Sequence, residues 1–232
     1  MVDECSDITV AHTTLAWWRG QVDAIYEGKP QHPVARALVP VVRPFNLKKE
    51  YLLEIIDGME MDIGQTRYPD FNSLRLYCYR VASLVGLLSV EIFGYSDPLT
   101  LKYAHDLGIA FQLTNIIRDV GEDARRHRIY LPMDELQQFG VTAADILNAR
   151  ETDNFHKLMA FQIERARHYY QQAIDNLPAT DRQAQRTGLI MAAIYRATLE
   201  EIAASGCHTL KERISLTPLR KLWLAFITWA KN

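Results

Sequence analysis

The chain has 232 residues, an apolar fraction of 48%, a charged fraction of 23% and a net charge of −2. That length supports one large domain with a substantial core, and the near-neutral charge removes the global electrostatic case for a nucleic-acid partner. With only 11 Gly and 9 Pro a disordered or all-β chain is disfavoured, and Cys5, Cys78 and Cys207, odd in number and without a C-x-x-C pair, argue against a disulfide framework and for a reducing cytoplasm.

Taken in order, the chain reads as successive helices. Ser6 and Asp7 can cap a helix reaching about Glu27, which Gly28, Pro30 and Pro33 break. A short helix is expected over 33–42, with Pro44 after it. Residues 47–62 follow, with Leu52, Ile55, Ile56 and Met59 spaced for one buried face. Tyr68-Pro69-Asp70 is a turn. Further helices are expected over 71–93, ending at Gly94, and from Ser96-Asp97-Pro98 to about 124. Residues 125–130 form a basic loop, and Pro132 opens a short helix at its first turn. The spans 141–148, 154–177, 183–205 and 217–230 complete the set. No repeat, low-complexity tract or linker interrupts 1–232, and no segment alternates at period two. The expectation is therefore a single all-α domain.

No apolar run approaches the roughly 20 residues that a membrane helix needs. The late run 222–230 is too short to span. Its Trp223, Phe226 and Trp229 are read as core packing ahead of lipid contact, and peripheral association at the inner face of the membrane stays open. No signal peptide is visible, and Met1-Val2-Asp3-Glu4-Cys5 reads like the middle of a longer sequence.

The informative segment is 112–123, Gln-Leu-Thr-Asn-Ile-Ile-Arg-Asp-Val-Gly-Glu-Asp. Asn115, Asp119 and Asp123 stand at i, i+4 and i+8, on one helix face and about 6 Å apart per step, with Gln112 on the same stripe. Two carboxylates about 4 Å apart repel by roughly 4 kcal/mol at an effective dielectric near 20. On a solvated face the cost falls to a few tenths of a kcal/mol, so an exposed acidic surface is one reading. However, Leu107, Ile109, Ala110, Phe111, Leu113, Ile116 and Ile117 surround the stripe. A helix apolar nearly all round is usually buried. A buried row of oxygen donors calls for a hard cation such as Mg²⁺. Gly121, inside this helix at a cost of about 1 kcal/mol, either leaves room for a ligand or another backbone or is a neutral packing choice. The following Arg125-Arg126-His127-Arg128 offers donors to a phosphate group, though alone it reads as a solubilising loop. In 77–86, Tyr77, Val81 and Val85 share a face, and Ala82, Ser83 and Gly86 allow close approach. By itself that is ordinary helix packing.

Together these segments resemble the squalene/phytoene synthase family. Asn115 to Asp123 is similar to its second aspartate-rich motif, N-x-x-R-D-x-x-E-D. Residues 128–132, R-I-Y-L-P, resemble its R-x-Y-L-P, and residues 77–86 its Y-C-x-x-V-A-x-x-V-G. The resemblance implies an isoprenoid-synthase-type helical bundle around a central cavity and head-to-head joining of two prenyl diphosphates. Asn115, Asp119 and Asp123 would hold Mg²⁺ and one diphosphate, with Asp119 and Asp123 taking part in its ionisation. Gln112 would face the same cavity, and Tyr77 would sit near the reacting carbons. Val81 and Val85 would line the prenyl channel. Arg118, Arg128 and Tyr130 would bind diphosphate, and Tyr195 would stand near the cavity. Ala16-Trp17-Trp18-Arg19-Gly20, Val81-Ala82-Ser83 and Pro218 to Trp223 resemble the bacterial hopanoid-pathway branch, which makes presqualene diphosphate from two farnesyl diphosphates. Phytoene synthase, using geranylgeranyl diphosphate, is the alternative.

Of the family's first aspartate-rich motif only Asp3 is matched, as a further metal ligand. The earlier aspartates, the first helices and a diphosphate-binding arginine have no counterpart, so the chain reads as an N-terminally incomplete or degenerate member. The rival reading from another class is accordingly a non-catalytic helical partner. No G-x-G-x-x-G follows a strand, so NADPH-dependent reduction is not expected. A zinc enzyme is the weakest reading, because the seven histidines are scattered without H-E-x-x-H or Cys/His ligand spacing. His105 and His168 are read as packing or surface residues.

Overall fold

A computed structural model of the chain describes residues 7–231. It is all-α, and among the described residues the only β-type pairing is an isolated bridge between Arg67 and Ile129. The helices are α1 Ile8–Glu27, α2 Pro33–Val42, α3 Lys49–Gly64, α4 Phe71–Cys78, α5 Leu84–Phe93, α6 Leu99–Arg125, α7 Met133–Gln138, α8 Ala143–Leu147, α9 Asp153–Asn176, α10 Arg186–Ala204 and α11 Pro218–Lys231. Their ends follow local chemistry. The Asp7 carboxylate accepts from Thr9 N at 2.8 Å at the start of α1, and Gly28 closes that helix in the left-handed region at φ 76°. Asp70 caps α4 by accepting from Ser73 N, and Thr152 caps α9 by accepting from Phe155 N.

The 27-residue α6 is the axis of the molecule. It lies most extensively against α9 and also meets α5, α10 and the turn before α5. Leu113, Ile116 and Ile117 of α6 share one buried core with Phe155, Leu158, Met159 and Ile163 of α9. Burial of such side chains stabilises by about 1.5–3 kcal/mol each, so the α6–α9 seam anchors whatever α6 carries. A second, smaller contact joins α1 to α3 through Leu15, Val22 and Ile56. Here Ile56 is buried while Leu52 and Met59 are partly buried, as the spacing predicts, and Ile55 leans instead on the main core.

The structure corrects three expectations. The helix over 71–93 is not uniform, because residues Tyr79–Ser83 form a π turn between α4 and α5. Such turns are rare and often mark functional sites. This one brings the Ser83 and Ala82 backbone against Gly108 of α6, so close that a Cβ on Gly108 would stand 2.5 Å from Ser83 Cα and 2.8 Å from the Ala82 carbonyl carbon. Ser83 Oγ fixes the contact by donating to His105 O at 2.8 Å. Second, the stretch Phe71–Phe93 is long and apolar enough to cross a membrane by length and composition. Its Leu74, Cys78, Leu84 and Val90 are nevertheless buried in the bundle core. Third, Trp223, Phe226 and Trp229 do not pack into the core but are 61%, 59% and 54% exposed. The reason is that α11 docks on the outside of α10 through its half-buried Leu224, Ala225 and Ile227, which turns the aromatic stripe outward.

Candidate active site

Four pieces of chain meet beside the second half of α6. The first is the end of α3 with Asp62, the second is the end of α4 with Tyr77, and the third is the loop after α6 with Arg126, Arg128 and Tyr130. The fourth is the segment 205–217, between α10 and α11, with Arg213. Together with Gln112, Asn115, Asp119, Glu122 and Asp123 they line a polar cleft of about 190 Å³. The loop is held in place by Ile129 N donating to Thr66 O at 3.1 Å and by packing of the Tyr68, Tyr77 and Tyr130 rings, whose centroids are 5.3–5.6 Å apart. Gly121 resolves as a close backbone contact: it donates to Thr209 O at 3.1 Å, and a Cβ there would run into the Thr209 and Leu210 carbonyls. That contact seats the segment carrying Arg213.

The sequence-derived row is therefore assembled. Asn115, Asp119 and Asp123 face one cleft, and Gln112, Tyr77, Arg128 and Tyr130 stand around it. Val81 and Val85 lie elsewhere, on a neighbouring apolar cavity of about 250 Å³ whose lining also includes Phe93, Tyr103, Leu107, Phe111 and Met191. Gln112 and Asn115 line both spaces, so a polar cleft and an apolar cavity adjoin at one turn of α6. Arg118 is not among the cleft residues. It grips the neighbouring Asp119 through two bonds of 2.8 and 2.6 Å. Tyr195 lines neither space and backs the apolar one, its ring 4.7 Å from that of Phe111. Asp3 lies outside the described residues.

Asp62 and Arg213 were not anticipated. Tyr77 OH donates to Asp62 Oδ2 at 3.0 Å and Tyr130 OH to Asp62 Oδ1 at 2.8 Å, while Arg128 Nη2 donates to the Asp62 carbonyl at 2.9 Å. The Asp62 carboxylate thus orders the two tyrosines, and its backbone carbonyl holds Arg128. A signal for it existed, since Ile55, Met59 and Asp62 share a helix face and an acid at the end of an apolar stripe is as irregular as the row on α6. For Arg213, which donates from Nε to Asp119 Oδ1 at 2.9 Å, nothing local points inward, because the segment is irregular and its path is set by the Gly121 contact.

The two acids of the row differ in charge environment. Asp119 is compensated by Arg118 and Arg213. Burial, reinforced by the charge of Asp119, pushes Asp123 up to about 7, against a partial offset from Arg126 and Arg128. Asn115 Oδ1 is buried and has no hydrogen-bond partner, which costs roughly 1–3 kcal/mol as it stands. An orphaned amide oxygen beside a carboxylate short of positive charge fits a hard divalent cation, and Arg126, Arg128 and Arg213 add donors suited to phosphate oxygens.

Known proteins resemble the chain in sequence and in fold. The sequence model of the squalene/phytoene synthase family matches residues 1–220. A phytoene synthase from Arthrospira platensis is 39% identical over 222 residues, covering 90% of this chain and 72% of that protein. Among solved structures, a dehydrosqualene synthase in complex with ligand superimposes with a TM-score of 0.84 at 27% identity, over 99% of this chain and 82% of that one. The squalene synthase HpnC from Alicyclobacillus acidocaldarius gives a TM-score of 0.77 at 26% identity, over 84% of this chain and 74% of that one.

Proposed function

The chain belongs to the squalene/phytoene synthase family, and from that premise we propose that it joins two farnesyl diphosphates head to head to give presqualene diphosphate. The observation that carries the reading is the junction at Gln112 and Asn115 between a polar cleft and an apolar cavity. A prenyl diphosphate has the same two parts, and its reacting carbon joins them.

In this scheme Arg126, Arg128 and Arg213 draw the diphosphate into the cleft. Asn115, Asp119 and Asp123 would hold Mg²⁺. Bound Mg²⁺ supplies Lewis-acid neutralisation of the departing diphosphate. The C1–O bond of one substrate breaks and its diphosphate leaves. The double bond of the second substrate attacks that carbon, and loss of a proton closes a cyclopropane, with the second diphosphate retained. Val81, Val85 and Phe111 keep water from the cation. Tyr77 commits its hydroxyl proton to Asp62, which fixes the phenol oxygen at the cleft wall as an electron-rich neighbour of the reacting carbons.

The farnesyl chain is supported by the resemblance of Ala16 to Gly20 and Pro218 to Trp223 to the hopanoid-pathway branch, and by solved neighbours named for squalene and dehydrosqualene. A second reading, condensation of geranylgeranyl diphosphate to phytoene, is favoured by the 39% identity to a phytoene synthase. Product analysis with each diphosphate separates the two. The double variant Asp119→Ala, Asp123→Ala is expected to lower diphosphate release by at least about 10³-fold. Unchanged release would end the scheme, and no release by the wild-type chain from either substrate would leave a non-catalytic binding protein.

A further inference from the structure

We propose that Glu151, His156 and His208 form a second metal site, for a zinc-class divalent ion, which braces the segment that carries Arg213. Glu151 and His156 bracket the start of α9, but His208 is distant from both in sequence, which is why no ligand spacing is legible, and one ligand atom of each lies within 4.8 Å of the others. Glu151 immediately precedes the cap of α9, His156 is in the first turn of α9, and His208 follows α10. The two imidazole rings stand nearly perpendicular, at 83°, with centroids 5.7 Å apart.

The independent observation is the state of Glu151. Its side chain is only 3% exposed. Oε2 receives His208 Nδ1 at 2.8 Å and Lys211 Nζ at 3.2 Å. Oε1 is buried without any hydrogen-bond partner, an arrangement that buried carboxylates rarely keep. A cation among the three residues satisfies that oxygen. Two imidazole nitrogens and a carboxylate are the ligand class of zinc, with a water position left open, in contrast to the all-oxygen row on α6. Bonds of about 2.0–2.2 Å place tetrahedral ligand atoms roughly 3.4 Å apart. From a separation of up to 4.8 Å the closure needed is at most about 1.4 Å, within reach of the His208 side chain, which is 49% exposed. Lys211, 64% exposed, is the present counter-ion and swings out to water when the metal enters.

The location gives the site its role. Gly206 and Cys207, both in the left-handed region at φ 82° and 61°, turn the chain so that His208 meets Glu151. Thr209 then accepts from Gly121 N, and Arg213 reaches Asp119. An ion at His208 ties one end of this strap to α9 while Arg213 ties the other to the polar cleft. The site therefore sets how firmly that wall of the cleft is held, whichever prenyl chain is used.

Zinc titration by calorimetry, with Mg²⁺ in large excess to occupy the carboxylate row, tests the proposal. One Zn²⁺ per chain is expected, with at least tenfold weaker binding in His156→Ala and in His208→Ala and a several-fold tightening in Lys211→Met. Hydrogen exchange at 206–213 is expected to slow when zinc is added. Co²⁺ is expected to give the intense visible absorption of a low-coordinate, nitrogen-ligated ion. The inference is overturned if the wild-type chain takes up no zinc under these conditions, or if either histidine variant that retains its helical circular dichroism binds zinc as tightly as wild type. Should His156→Ala lose its fold, the more exposed His208 position decides.

Discussion

Along α6, the turns from Tyr103 to Phe111 face an apolar cavity and those from Asn115 to Asp123 face a polar cleft. The two halves share a helix and a common packing partner in α9, so they differ only in how their inner face is built. The first half is defined by shape: Gly108 lets the π turn of residues Tyr79–Ser83 press its backbone against the helix. The second half is defined by charge, with Asp119 compensated by two arginines and Asp123 under-compensated. One half should then respond to a single methyl group and ignore pH, and the other should do the reverse.

The largest effect is expected on the charged side. With Asp123 pushed up to about 7 by burial and by Asp119, the folded chain binds more protons than the unfolded chain between roughly pH 4 and pH 7. The slope of unfolding free energy with pH is negative wherever the native state holds the extra proton. In the absence of divalent ions, stability therefore falls as pH rises through that window and levels off above about 7. Three pKa units amount to about 4 kcal/mol at most, and water in the cleft reduces this to roughly 2–4 kcal/mol. Asp123→Asn removes the penalty. In EDTA at pH 8 the variant should melt higher than wild type, and near pH 4 the difference should vanish. Saturating Mg²⁺ should reverse the ranking. Equal melting of the two proteins at pH 8 in EDTA would mean that Asp123 is not the buried acid described.

On the apolar side the test is Gly108→Ala. Helix propensity alone favours alanine by about 1 kcal/mol. Here the added methyl meets backbone atoms of Ser83 and Ala82 at 2.5–2.8 Å, and backbone cannot rotate aside. Overpacking of this kind costs about 1–3 kcal/mol or more, so a net loss of about 2 kcal/mol is expected, or roughly 4–8 °C in melting temperature for a domain of this size. Gly20→Ala is the control. It lies inside α1 with nothing within 4 Å of the added Cβ, and it should raise stability by about 0.5–1 kcal/mol. Matching gains at both positions would remove the argument from shape.

How far the molecule was legible follows the same division. Helix positions came through because apolar period, caps and Gly/Pro breaks are local signals, and α6 was marked as buried by apolar residues around its polar row. The π turn was not legible, since Tyr79 to Ser83 continues the helical period without a break. The outward stripe of Trp223, Phe226 and Trp229 was not legible either, because amphipathicity shows that a face is apolar without showing whether anything covers it. Within the site, the row on α6 could be read from spacing. The role of Asp62 depends on the docking of the 126–131 loop onto Thr66 and Arg67, and that of Arg213 on a glycine contact in another helix.

A smaller effect separates the tyrosines that bridge the two halves. Tyr77→Phe removes a hydrogen bond to Asp62 and is expected to lower turnover about tenfold, equivalent to about 1.4 kcal/mol in the barrier, with a stability cost near 1 kcal/mol. Tyr68 is packed against the same rings, but its buried hydroxyl has no partner. Removing that hydroxyl relieves an unsatisfied group, so Tyr68→Phe should be neutral or slightly stabilising and should leave turnover within about twofold. Similar losses in both variants would show that the ring cluster, and not the Asp62 contact, sets the activity.

The smallest effect is expected from Arg213→Ala. Arg213 is 56% exposed, and Asp119 retains Arg118 when it is removed. An exposed ion pair of this kind contributes about 0–1 kcal/mol and is screened by salt. The variant should melt within about 1 kcal/mol of wild type and raise KM for the diphosphate substrate a few-fold, with the KM difference shrinking as ionic strength rises. A loss well above 2 kcal/mol that persists in high salt would give a different picture. The segment 205–217 would then be a structural strut whose removal loosens the bundle, and the charged half of α6 would depend on packing as much as the apolar half does.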